Sequence, residues 1–224
     1  AARPQIAGAQ SYHNTGGMIL RGPGSSDDTF PAADIEVHKT IASRGETMLP
    51  GYRSLNIATG LYNVYGGEVD WLFSMLGIYT FTNELFTPFN FFREQPKGPG
   101  FFADPEQLHK FDRYLLFSDG FVSWHEADHP QYGKVEVGGF KKNWIRQPPS
   151  FLLEEELHRN MAFTLYHADQ MPMVEVSAIE AKPLDGDLVE VTATIANRRL
   201  IPTHAAHDVA KKISRPDLVE LSAP

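Results

Sequence analysis

The chain has 224 residues, 42% of them hydrophobic, a formal net charge of −8 and no cysteine. That composition suits one large or two modest globular domains, and the acidic balance argues against nucleic acid or an anionic membrane as partner, since either favours clustered Lys and Arg. With no thiols, disulfides and thiolate metal sites are excluded, so any metal must rest on histidine and carboxylate ligands. No apolar run approaches the roughly 18 residues that span a bilayer, and no basic-then-apolar leader opens the sequence. It begins Ala1-Ala2-Arg3-Pro4-Gln5 without methionine, as expected of a processed product or an excised piece of something longer.

In chain order, IAGAQSYH reads as a strand that leaves His13 at its end. The pair Gly16-Gly17 reverses the backbone cheaply, and Met18-Ile19-Leu20 begin a second apolar run. GPGSSDDTFP, residues 22–31, is a loop by composition, and residues 32–48 read as a helix with Pro31 near its first turn. Val69, Leu72, Phe73 and Leu76 keep i, i+3, i+4, i+7 spacing, which predicts a helix, and GIYTFTNEL then reads as a strand ending near Glu84. Alternating strands and helices predict an α/β layer fold. Residues 86–102 hold too much proline and glycine for a regular element and form an aromatic loop.

Asp104-Pro105 is an N-cap followed by proline at the first helical position, and Leu108, Phe111 and Leu115 share one face of the helix that follows. Residues 121–137 pattern as two strands around a turn at HPQYG, and residues 149–169 as the clearest helix, with Leu153, Leu157 and Met161 four apart. After Pro172 the period becomes two, through Val174 and Val176 and then Val189, Val191, Ala193 and Ile195, with a turn at Asp185-Gly186. This marks a second, all-β unit with too few strands to close a core of its own.

Several polar clusters have plain structural readings. HEADH, residues 125–129, matches the H-E-x-x-H pattern, which needs a helix to bring both imidazoles to one face, whereas its flanks predict a hairpin. His204 and His207 follow Pro202 in a loop-like chain end, and His158 and His167 lie on the long helix. Glu154-Glu155-Glu156 occupy that helix's first turns, where the macrodipole favours negative charge. Trp124, Trp144 and the phenylalanines fit core or interface packing better than a lectin-like surface. His13 and Glu84 stand apart because each ends a strand in an α/β pattern, where side chains project into the crevice at the sheet's carboxyl edge.

The order of SYHNTGG, then Tyr62-Asn63-Val64-Tyr65-Gly66-Gly67-Glu68-Val69-Asp70-Trp71, then TFTNEL resembles the C-terminal half of the zinc metallocarboxypeptidases of the carboxypeptidase A kind. The likeness is close over residues 5–85 and looser to residue 169. It implies that His13 is a zinc ligand, Glu84 the catalytic glutamate, Tyr62 the mobile tyrosine that covers substrate, and Val69 part of the side-chain pocket. The implied organisation is a carboxypeptidase-like α/β/α sheet domain over residues 1–170, with an insertion at about 86–147, then a partial β-sandwich-like appendage over 171–224. The implied substrate is a peptide or protein C-terminus, and the setting secreted or periplasmic. No His-x-x-Glu, the family's other ligand pair, occurs in the sequence, and Arg21 does not match the family's upstream arginines. The expectation is therefore a zinc peptidase whose site is completed by an N-terminal half or a second chain. The alternative is a non-catalytic binding or scaffold module that keeps the core without metal.

Overall fold

The structure is a computed structural model that describes residues 5–88, 104–220 and 222. Four strands, β1 (Gly8–His13), β2 (Met18–Arg21), β3 (Arg53–Asn56) and β4 (Tyr79–Glu84), make one mixed sheet in the order β1-β4-β2-β3. β4 runs parallel to β1 and antiparallel to β2, which in turn is parallel to β3. Between them lie α1 (Ala32–Met48), the single turn α2 (Ile57–Gly60) and α3 (Glu68–Leu76). The chain continues through α4 (Pro105–Leu115), the hairpin β5 (Phe121–His129) and β6 (Gly133–Phe140), the short α5 (Lys142–Arg146) and the long α6 (Ser150–Asp169). A second hairpin, β7 (Val174–Pro183) and β8 (Val189–Asn197), precedes α7 (Ala206–Lys211). The fold is of the mixed α/β class. The expected aromatic loop lies, from residue 89 onward, outside the described residues.

Local chemistry sets most of these boundaries. Gly77 ends α3 at φ 69°, where its N–H reaches the Phe73 carbonyl at 2.8 Å and that of Ile78 reaches Leu72 at 3.1 Å, a left-handed stop that a residue without Cβ adopts freely. Asp104 caps α4 by accepting from the Glu106 N–H at 3.0 Å, with Pro105 behind it. The strand period of two splits β2 between both faces of the sheet. Ile19 enters a core with Ile41, Phe73, Phe81 and Phe163, while Met18 and Leu20 join Ile57 and Val69 in a separate cluster.

Two features of the packing depend on partners distant in sequence. On α6, Leu153, Leu157 and Met161 are 43%, 50% and 48% exposed, and the buried positions are Glu156, Asn160, Phe163 and His167. Glu156 and Asn160 have partners in the sheet and its loops, which offsets the cost of desolvating them. The segment after β8 also leaves the hairpin. Ile201 and Ala205 join the core of Ile41 and Phe73, and the backbone N–H groups of Ala206 and His207 donate to the buried carboxylate of Asp34 at 2.9 and 2.8 Å. Residues 171–224 therefore divide into a hairpin and a strap returned to the α/β body. The β7 and β8 hairpin is solvent-exposed along Val176, Ile179, Val189 and Val191, with no further strand paired to it among the described residues.

Candidate active site

The register of β1 with β4 places Ser11 opposite Thr82, Tyr12 opposite Asn83 and His13 opposite Glu84. In a parallel pair, side chains opposite one another leave the same face, so the last imidazole of one strand and the last carboxylate of its neighbour meet. Nδ1 of His13 lies 2.9 Å from Oε1 of Glu84, and the Leu85 N–H closes the strand end on the His13 carbonyl at 2.9 Å. Both side chains line a crevice of about 530 Å³ whose walls include Thr15, Met18, Leu61 and Tyr62. Glu84 is partly buried, and that burial raises its carboxyl above the usual glutamate range, with the His13 ring and a backbone bond from Thr15 pulling the other way.

Tyr62 stands on the segment between α2 and α3 and is 60% exposed at the crevice wall. Its segment is fastened to the loop after β2, where the Val64 N–H donates to the Gly24 carbonyl at 2.7 Å and both oxygens of Asp70 accept from the Gly24 N–H at 2.9 and 3.0 Å. A Cβ at Gly24 would come within 2.4 Å of Asp70, so the GPG turn after β2 and the Asp of the glycine-rich segment are matched to each other. Val69 is not in the crevice wall. It is 4% exposed and packs beneath, in one cluster with Met18, which does line the crevice.

Residues that the pattern did not single out hold the end of β4. Phe86 adopts φ 61°, an uncommon left-handed conformation for a bulky residue. Its N–H donates to Oε1 of Glu156 at 2.9 Å and to the Tyr52 hydroxyl at 2.9 Å, the same hydroxyl is hydrogen-bonded to Glu156, and Nδ2 of Asn160 reaches it at 3.2 Å. The Phe86 carbonyl accepts from the Gly16 N–H at 2.9 Å, so one buried network fixes both the turn after His13 and the turn after Glu84. Only the third glutamate of the acidic run at the start of α6 is buried, and no local signal distinguishes it from its neighbours.

The remaining histidines are placed elsewhere. HEADH lies on β5, with Nδ1 of His125 donating to the Ser123 carbonyl at 2.9 Å, so the helical geometry of a zinc motif is absent there. His204 is not a loose loop residue. Its Nδ1 lies 3.0 Å from Asp208 and 2.8 Å from Ser214, and its Nε2 lies 3.2 Å from Asp217. His207 is buried against the Ser74 carbonyl at 3.1 Å. Among the described residues no three His, Asp or Glu side chains converge as a metal-binding group. No helix among them is long and apolar enough to cross a membrane.

A family profile described as a domain of unknown function, DUF8731, matches residues 173–224, which span the second hairpin and the returned strap. No curated protein matches the chain.

Proposed function

We propose that the chain carries the catalytic-base side of a zinc metallocarboxypeptidase site, which releases C-terminal residues from peptides when its donor set is completed by further polypeptide. The observation that supports this most is the convergence of His13 and Glu84 at 2.9 Å on the tips of adjacent parallel strands, with Tyr62 on the wall of the same crevice. The donors fit zinc only in part: His13 offers one imidazole, whereas such a site takes three protein ligands plus water. When bound, the metal supplies Lewis-acid polarisation and an acidified water. The chain's own contribution is then proton transfer and enclosure. Glu84 takes the proton of the attacking water and returns it to the leaving amine, and burial raises its pKa in the direction that strengthens it as a base. Tyr62, on a glycine-flanked segment, closes over the substrate and excludes water.

The test is the intact mass and zinc content of the native preparation, together with release of amino acids from peptides by wild type and Glu84→Gln. The expected result is bound zinc that His13→Ala removes, and a loss of turnover of about 10²- to 10⁴-fold in Glu84→Gln with zinc retained. This chain alone is expected to turn over little. A native preparation of this mass, without zinc, favours the second reading, a non-catalytic binding or scaffold module that keeps the core without metal.

A further inference from the structure

The hairpin of β7 and β8 keeps its charges and its branched apolar side chains on different faces. Opposite residues of an antiparallel pair leave the same side, so Val176 with Ile195, Ile179 with Ala193 and Ala181 with Val191 share one face, which Val174 and Val189 extend at its ends. Strict alternation along β7 from Val176 would bring Glu180 and Lys182 onto that face. The register shift between Val176 and Ala178 changes the phase and puts Ile179 and Ala181 there instead, the re-aiming of side chains that a β-bulge performs. Glu175, Glu180, Lys182 and Glu190 then all stand on the opposite face.

The six valines and isoleucines of the apolar face are 45% to 69% exposed. With the small residues between them they present on the order of 600 Å² to water, the upper end for a monomeric protein. A two-stranded hairpin is marginal in water until something covers such a face. Two of these faces laid together remove about 1,200 Å², where specific interfaces begin, and stand about 10 Å apart like the sheets of a sandwich. The covering surface must bring no charge of its own, because an unpaired charge is costly to bury. The identical face of a second copy meets that condition, and a two-fold pairing closes on itself. Asp185 and Asp187 make the turn acidic, so like-charge repulsion sets the two hairpins antiparallel, each turn near the other copy's Arg198, which is exposed and paired with its own Glu175. We infer that the chain associates as a two-fold dimer through this face, the two hairpins forming a four-stranded sandwich.

Sedimentation equilibrium of the whole chain between about 1 and 200 µM tests it. Wild type is expected to reach twice the chain mass and to dissociate on dilution. Val191→Glu, which sets a charge within the face, is expected to weaken association by about 100-fold or more, and Thr192→Glu, its neighbour on the opposite face, to leave it unchanged. The sequence has no cysteine, so Ala193→Cys supplies a single thiol at the centre of the face. A short bis-maleimide is expected to link two copies through that thiol and far fewer through Thr192→Cys, a readout that stays decisive if Val191→Glu fails to fold. A monomer at every concentration, association that survives Val191→Glu or is equally lost in Thr192→Glu, an open assembly larger than a dimer, or equal cross-linking at both thiols overturns the inference.

Discussion

His38 and His167 approach the same phenylalanine from different helices: their ring centroids lie 5.5 and 5.0 Å from that of Phe81, both edge-on. Each is almost fully buried, and burial lowers each pKa to about 4, with smaller effects from Asp34 and Arg21 on His38 and from His38 itself on His167. The Nδ1–H of His38 is satisfied by the Asp34 carbonyl at 2.9 Å, while both Nε2 atoms have no partner among the described residues.

Acid stability follows from this pair. A group whose pKa is lower folded than unfolded takes up protons on unfolding, so its contribution is complete above about pH 6.5 and is lost as pH falls toward 4. The loss is about 2 to 3 kcal/mol per histidine at the acid end, shared between the two because they interact. Urea unfolding between about pH 7 and pH 4.5 is expected to show a steep decline that His167→Gln makes shallower. A stability profile that stays flat over that range removes the basis for the prediction.

Asp34 joins two ends of the sequence. It is 1% exposed and accepts from the Tyr79 hydroxyl at 2.7 Å as well as from the two N–H groups that open α7. Asp34→Ala leaves those donors buried and unmatched, with an expected cost of about 2 to 5 kcal/mol. Limited proteolysis provides a local readout, since cleavage between about residues 198 and 206 should accelerate before the rest of the chain is cut. Uniform cleavage, or an unchanged pattern, would show that the strap does not depend on this carboxylate.

Glu156 and Tyr52 anchor the turn beyond Glu84. Removing the carboxylate in Glu156→Ala leaves the Phe86 N–H with the Tyr52 hydroxyl alone, takes away that hydroxyl's own acceptor and loosens a left-handed backbone that the network holds, for an expected loss of about 2 to 4 kcal/mol in denaturant unfolding. Tyr52→Phe, which keeps the ring and Glu156, is expected to cost about 1 kcal/mol. Hydrogen exchange at the Phe86 amide should accelerate in both variants, more in Glu156→Ala. Protection that is the same in all three proteins contradicts the assignment.

Much of the local structure was legible because it depends on neighbours in sequence. The β1 end at His13, the stop of α3 at Gly77, the capped start of α4 and both hairpins follow from turn glycines, capping residues and changes of period that act within a few residues. Which face of α6 is buried was not legible, for a long-range reason. Leu153, Leu157 and Met161 keep helical spacing, yet the side turned inward is the one whose polar groups find Tyr52, Asn83 and the Phe86 N–H in distant segments. Periodicity reports that a stripe exists, and partners decide which stripe is buried.

By itself the sequence determined that an imidazole and a carboxylate end two separate strands of an α/β chain with no thiols, because strand ends and composition are set locally. Only the tertiary structure decided that these strands are parallel neighbours in matching register and that Asp34 receives the start of α7. Each of those juxtapositions depends on backbone pairing or hydrogen bonds between residues distant in sequence, whose free energy is realised only when the whole sheet and its helices close together.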